Sequence, residues 1–205
     1  MGFSGHLVFA RSEHSLLETP LFGGADPELK GDAHVWSRPG GWQTLQLVHG
    51  LRDDGRLAAV VEWTGAPACV ADVSDNSVAL VTGLDTDGRR WQAWLNPDIA
   101  AGLLAEEPDD LDDMSLWLDT PEFDETVRRK RAELDADVPA DAEGAIAWAT
   151  AAGVRAARQS RIEEVLRSRE TFVEDLFDAL LDELGFPRAA QPSEPLPGAS
   201  GGAAG

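Results

Sequence analysis

Residues 68–95 read ACVADVSDNSVALVTGLDTDGRRWQAWL, and this stretch decides the fold. Ala68–Val73 and Val78–Leu84 are short apolar runs divided by Ser74-Asp75-Asn76-Ser77. Asp87-Gly88 then gives a hairpin signal, and Arg90–Leu95 follows. The pattern predicts three antiparallel strands. Val78-Ala79-Leu80-Val81 is apolar on both faces, so this strand is expected to be central and covered on both sides. On the third strand Trp91, Ala93 and Leu95 point one way while Gln92 and Trp94 point the other.

Upstream, His6–Arg11 (HLVFAR) predicts a first strand. Residues 20–34 carry Pro20, Gly23, Gly24, Pro27 and Gly31, which is loop chemistry. Trp42–Val48 predicts another strand after the Pro39-Gly40-Gly41 turn. Leu57, Val60, Val61 and Thr64 have helical spacing, with Gly65 and Pro67 as a stop; a strand returning from Asp53-Asp54-Gly55 is the alternative.

Downstream the period becomes helical. Asn96-Pro97 predicts an N-cap and first helical residue for a helix running to about Glu106. Thr120-Pro121 repeats the device for a helix to about Ala136, and Pro139–Ala152 forms a further helix stopped by Gly153. The stripe Ile162, Val165, Leu166, Val173, Leu176, Phe177, Leu180, Leu181, Leu184 predicts two helices meeting near Ser168. Ser160-x-x-Glu163 and Thr171-x-x-Glu174 both fit capping boxes, and Gly185 followed by Pro187 ends the run. Strands first and helices after give an α+β class: a mixed or antiparallel N-terminal sheet (1–96) with C-terminal helices (97–186) packed on it as one domain. Residues 187–205, rich in Pro, Ala, Gly and Ser, read as a disordered tail.

The charge is lopsided. The chain carries 37 acidic and 17 basic side chains over 205 residues, a formal −20. Residues 101–186 hold 23 of the acids and 9 of the bases. Each phosphate contact needs a Lys or Arg, so the composition argues against nucleic acid and anionic membranes and permits a basic protein partner. The N-terminus lacks the basic and long apolar regions of a signal peptide, and no run of about 18 apolar residues exists, so a cytoplasmic protein is expected.

No stretch carries a catalytic or metal motif. His6, His14, His34 and His49 form neither H-x3-H nor H-E-x-x-H spacing. The single cysteine, Cys69, cannot form an intramolecular disulfide and lies in an apolar run, where an inert core thiol is the simpler reading than zinc or Cys–His chemistry. Asp72 and Asp75 are explained by strand-end turns before acid–base or magnesium chemistry. Asp85-Thr86-Asp87-Gly88 resembles part of a calcium loop, but Gly83 and Trp94 fall where carboxylates are required. No metal and no cofactor is expected.

Arg128-Arg129-Lys130-Arg131 sits among acids, and pairs such as Asp124–Arg128 and Glu125–Arg129 explain it without a nucleic-acid partner. The run Glu106–Glu143 contains fifteen carboxylates together with Leu111, Met114, Leu116, Trp117, Leu118 and Phe123. It reads either as a solvated face folded back on the core or as a docking surface for a basic protein. In the second case Asp109, Asp110, Asp112, Asp113 and Trp117 are the candidate contacts.

GWQTLQLV (41–48), TGAPACVADVSDNSVALVTGL (64–84) and RWQAWLNP (90–97), with FVEDLFDALLDELG closing the helical half, resemble a group of small acidic actinobacterial proteins. The resemblance spans most of residues 40–186 and rests on packing motifs, so it implies no activity and carries over no functional residue. Three functions remain in order of preference: a non-enzymatic acidic protein-binding module of immunity or regulatory type, an enzyme whose site is assembled from Asp72, Asp75, His49 and Cys69, and a structural subunit of a larger assembly.

Overall fold

β1 (Gly5–Arg11) is the strand on which the sheet is organised: it pairs antiparallel with β3 (Trp42–Leu47) on one side and with β4 (Ala68–Ser74) on the other. The computed structural model describes residues 2–18, 33–48, 54–105, 117 and 120–188. β5 (Val78–Leu84) and β6 (Arg90–Leu95) continue outward from β4, and β2 (His34–Arg38) lies outside β3. The order β2-β3-β1-β4-β5-β6 is antiparallel at every pairing, so the sheet is not mixed.

β5 is an interior strand one place from the edge rather than the centre, which belongs to β1 and β4. The alternation on β6 is as expected: Trp91, Ala93 and Leu95 are buried, while Gln92 is exposed. β2 was not foreseen. Its residues His34, Trp36 and Ser37 are exposed, so no apolar alternation announces it.

The two faces of the sheet have different covers. Helix α1 (Asp54–Thr64) packs Leu57, Val60 and Val61 against Val8, Ala10, Leu45 and Leu47. Helical spacing therefore prevails over the hairpin alternative. The opposite face takes the long helix α3 (Pro121–Ala151), α4 (Gln159–Arg167) and α5 (Val173–Glu183), while α2 (Pro97–Leu103) follows β6. Leu7, Phe9, Ala71, Val81 and Leu95 of the sheet meet Ala145, Trp148, Leu166, Phe177 and Leu181 of the helices, so the strand-rich and helical halves share one core. Val173, Leu176, Phe177, Leu180 and Leu181 of α5 are all buried. At roughly 1.5–3 kcal/mol for each fully buried large apolar side chain, this stripe outweighs the weak propensity of so short a helix.

Tryptophan supplies much of that core. Phe9 stacks on Trp42 at 5.0 Å, Phe186 meets Trp42 edge-on at 4.7 Å, and Trp148 lies 5.8 Å from Trp91. Trp148 Nε1 donates to the Leu84 carbonyl at 3.2 Å, which satisfies its one polar atom.

Several expected helix boundaries are corrected. The helices expected to break between Ala136 and Pro139 are one helix, with Pro139 inside it. Pro139 cannot donate to the Asp135 carbonyl. The helix continues because Val138, Ala142, Ala145, Trp148 and Ala149 are buried on both sides of that gap. Its start is as expected: Thr120 Oγ1 accepts from Phe123 N at 3.2 Å. α2 ends at Leu103 rather than Glu106. Asn96 precedes α2 in the left-handed conformation, φ 61°, and its side chain does not cap. Neither capping box forms: α4 starts after Arg158 and α5 after Phe172, without side-chain caps. Both helices are fixed by burial of their stripes instead. Gly153 and Gly185, with φ of 79° and 89°, lie in the left-handed region just past helix ends, as expected.

Candidate functional site

Helix α5 crosses the sheet near the β2–β3 edge and leaves a cleft of about 200 Å³. Leu7 and Phe177 form its apolar floor, Trp36 one wall, and Thr44, Glu174 and Asp178 contribute polar groups. Strand alternation sets this out: Trp42 and Thr44 face the helices, whereas Leu45 and Leu47 face α1. On β2, Arg38 reaches α5 while Val35 packs with the α1 cluster, so Trp36 and His34 share the helix side. The His34 and Trp36 rings stack at 6.1 Å, and Trp36 remains 41% exposed.

Arg38 lies beside the cleft, bound to its lining residue Asp178. Its side chain is 2% exposed and pairs with Asp178 and, at 3.1 Å, with Asp182. It also donates to the Pro187 carbonyl at 3.2 Å and lies 5.8 Å from the Phe9 ring centre. Two polar atoms of the cleft lack any partner. Thr44, 5% exposed, has its Oγ1 buried without a hydrogen bond, and so does Glu174 Oε2. Burial raises the Glu174 carboxyl above its ordinary value; its own backbone N–H pulls it back and the Asp175 charge adds to the rise. The cleft thus offers an aromatic face, unpaired acceptors and an acidic rim.

A wider depression of about 800 Å³ lies where β1 ends, lined by Arg11, His14, Gly40 and Trp63 among others. Part of its polar lining is already engaged. Gln43 Nε2 donates to the carbonyls of Ser12 and His14, and Arg11 Nε donates to the Gly40 carbonyl.

Of the residues singled out from sequence that the structure describes, His6 and Asp72 come together and the others do not. Cys69 is 1% exposed inside the core, where burial drives its thiol far above the ordinary range. Asp72 lies 3.7 Å from His6 across the β1–β4 pairing. Asp75 and Asn76 take left-handed conformations in the β4–β5 turn, and Asp75 Oδ1 accepts from Gly2 N at 3.0 Å. His14 and His34 are exposed at separate places, and His49 lies outside the described residues. Among the described residues no group of three or more His, Cys, Asp and Glu could hold a metal ion. Asp85 accepts from Asp87 N and Arg89 N, the work of a turn.

Asp109, Asp110, Asp112 and Asp113 also lie outside the described residues. Trp117 is 6% exposed and meets Phe123 edge-on at 4.9 Å, so its indole packs against its own chain. The basic tetrad is paired, though not with the expected partners. Arg128 takes Glu125, Lys130 takes Glu133 at 2.7 Å, and Arg131 bridges to Asp98 of α2 at 2.7 Å.

Trp36, Thr44 and Glu174 were not foreseen as a group. The one signal was Thr44, a polar residue between Trp42 and Gln46 on the core-facing side of its strand. Comparison with protein-family models, with curated proteins and with solved structures gives no match. No described helix is long and apolar enough to cross a membrane.

Proposed function

We propose that this chain is a non-enzymatic acidic module of the cytoplasm that binds a basic protein, in the manner of an immunity or regulatory protein. One observation carries the reading: six of the nine bases of the helical half are spent on intramolecular pairs, leaving Arg155, Arg158 and Arg169 without one among the described residues, while more acids than that remain uncompensated. Arg128, Lys130, Arg131, Arg161 and Arg167 all have carboxylate partners. Glu122, Asp124, Asp137, Glu143 and Asp175 are exposed and, among the described residues, have no ion pair. With a formal −20 overall, such a surface steers a basic partner and rejects polyanions.

The one thiol is held protonated in the core, and among the described residues carboxylate and imidazole meet as the His6–Asp72 pair, with no larger metal-holding group. The test is capture from a lysate of the natural source at low salt, with mass spectrometry of what salt elutes. One basic protein recovered stoichiometrically, binding more slowly when Asp109, Asp110, Asp112 and Asp113 are changed to Asn, supports the reading. An association rate unmoved by those changes at low salt removes that acidic segment as the contact. Recovery of basic proteins merely in proportion to abundance overturns the reading.

A further inference from the structure

We infer that the cleft between Trp36 and α5 is a receptor for one lysine side chain of a basic protein. The inference deepens the binding reading and rests on it for the source of the lysine. Four observations converge on this occupant. The cavity, about 200 Å³, is smaller than the roughly 300–1,000 Å³ of drug-sized ligand sites and suits a single side chain. Its floor of Leu7 and Phe177 matches an aliphatic stem. Trp36 offers an indole face to a cation. Thr44 Oγ1 and Glu174 Oε2 are buried acceptors with nothing to accept, a costly state that an ammonium with three donors relieves.

Charge decides between a cation and a neutral polar group. Glu174, Asp175 and Asp178 lie on the α5 side, and the opposing strands contribute Arg38 as their cation. Arg38 is turned inward, held by Asp178, Asp182 and the Pro187 carbonyl. The outer part of the cleft therefore keeps an uncompensated carboxyl at Glu174. A guanidinium is the weaker candidate, because its planar fork wants a bidentate carboxylate and the one nearest that geometry is taken by Arg38.

The probe is Nα-acetyl-lysine N-methylamide, added to the full chain and followed by two-dimensional NMR. The Trp36 indole signal is assigned by its loss in Trp36→Phe. Saturable movement of the Trp36 indole and the Thr44 amide is expected, with a Kd of about 1–10 mM for so small a ligand. Glu174→Gln should weaken binding about tenfold and Thr44→Val about threefold, as loss of a charged and a neutral hydrogen bond implies. The uncharged Nα-acetyl-norleucine N-methylamide should bind at least about tenfold more weakly than the lysine probe. No movement at tenfold the expected Kd overturns the proposal, and so does equal binding of the norleucine probe, which would make the cleft a plain apolar pocket. Tighter binding of the arginine analogue overturns the choice of lysine. Because the probe is a defined small molecule, failure here leaves the partner-capture experiment to judge the binding reading separately.

Discussion

Gly144 of α3 lies so close to Trp91 of β6 that a methyl group at position 144 would sit 2.8 Å from the Trp91 Cβ. On the other side, a methyl at Gly83, the cross-strand partner of Trp91, would meet the Trp91 Nε1 at once. The indole is gripped between two glycines. A helix-interior glycine ordinarily costs about 1 kcal/mol relative to alanine, so Gly144→Ala gains that amount in propensity. Overpacking costs about 1–3 kcal/mol, and the Trp91 Cβ is too near the backbone to give way easily. A net loss of about 1–2 kcal/mol is expected. Gly102 in α2 is the control: a methyl there meets nothing within 4 Å, so Gly102→Ala should be neutral or stabilising. Urea midpoints of the two variants check this, and a Gly144→Ala protein as stable as the parent refutes the close fit.

Arg38 ties the edge strand to α5 through carboxylates that are unequally exposed, 59% for the Asp178 side chain and 25% for Asp182. Removing a buried ion's partner is normally severe, but here both carboxylates can turn to water once the guanidinium is gone. Arg38→Met should therefore cost about 2–3 kcal/mol, the scale of hydrogen bonds to charged groups, rather than more. Arg38→Lys should fall between, since an ammonium cannot fork between Asp178 and Asp182. Guanidinium chloride unfolding is a poor choice because its salt screens the pair; urea is suitable. A neutral Arg38→Met would mean that desolvation of Arg38 cancels its pairing.

The legible parts of the fold were those where burial follows a local period. β4, β5 and β6 are short apolar runs with turn residues between them, and the α5 stripe repeats every three or four residues, so both could be read directly. β2 could not, because His34, Trp36 and Ser37 are exposed and the strand exists through its pairing with β3. Pro139 is a local helix-breaker, yet the continuity of α3 is decided by apolar contacts to distant strands. The cleft was illegible for the same reason. Thr44 and Glu174 are 130 positions apart in the chain, and neither type is unusual until both prove to be buried without partners.

Asn96 illustrates a residue read correctly for type and wrongly for task. It is fully buried and left-handed, and its Nδ2 donates to the Ser77 carbonyl and, at 2.9 Å, to the Glu170 carbonyl. It thus joins the β4–β5 turn to the connection between α4 and α5. Asn96→Gly keeps the backbone conformation and loses both bonds, for about 2 kcal/mol; Asn96→Ala adds about 1–2 kcal/mol of left-handed strain. Hydrogen exchange should locate the damage at Val173 N–H, which donates to the Asn76 carbonyl at 2.7 Å beside this joint. Equal stability of the Gly and Ala variants would contradict the conformational part of the argument.

Asp141, partly buried on α3, has its carboxyl pushed up to about 6 by burial, with the neighbouring Asp137 charge adding to the rise. An unfolded aspartate titrates near 3.9, so between those values the folded state holds a proton that the unfolded state has released. Stability from this group is therefore fullest below about pH 4, declines as pH rises through about 6, and is lowest at neutral pH. Asp141→Asn removes the charge and with it the decline. At pH 7 the variant should be more stable by about 1–2 kcal/mol, a discount on the full shift because the side chain still reaches water. The advantage should shrink steadily toward pH 4.5, where the parent aspartate is itself largely protonated. Urea midpoints of both proteins at several pH values give the comparison. An advantage that stays constant from pH 7 to 4.5 would assign the gain to packing or helix propensity and refute a titrating Asp141.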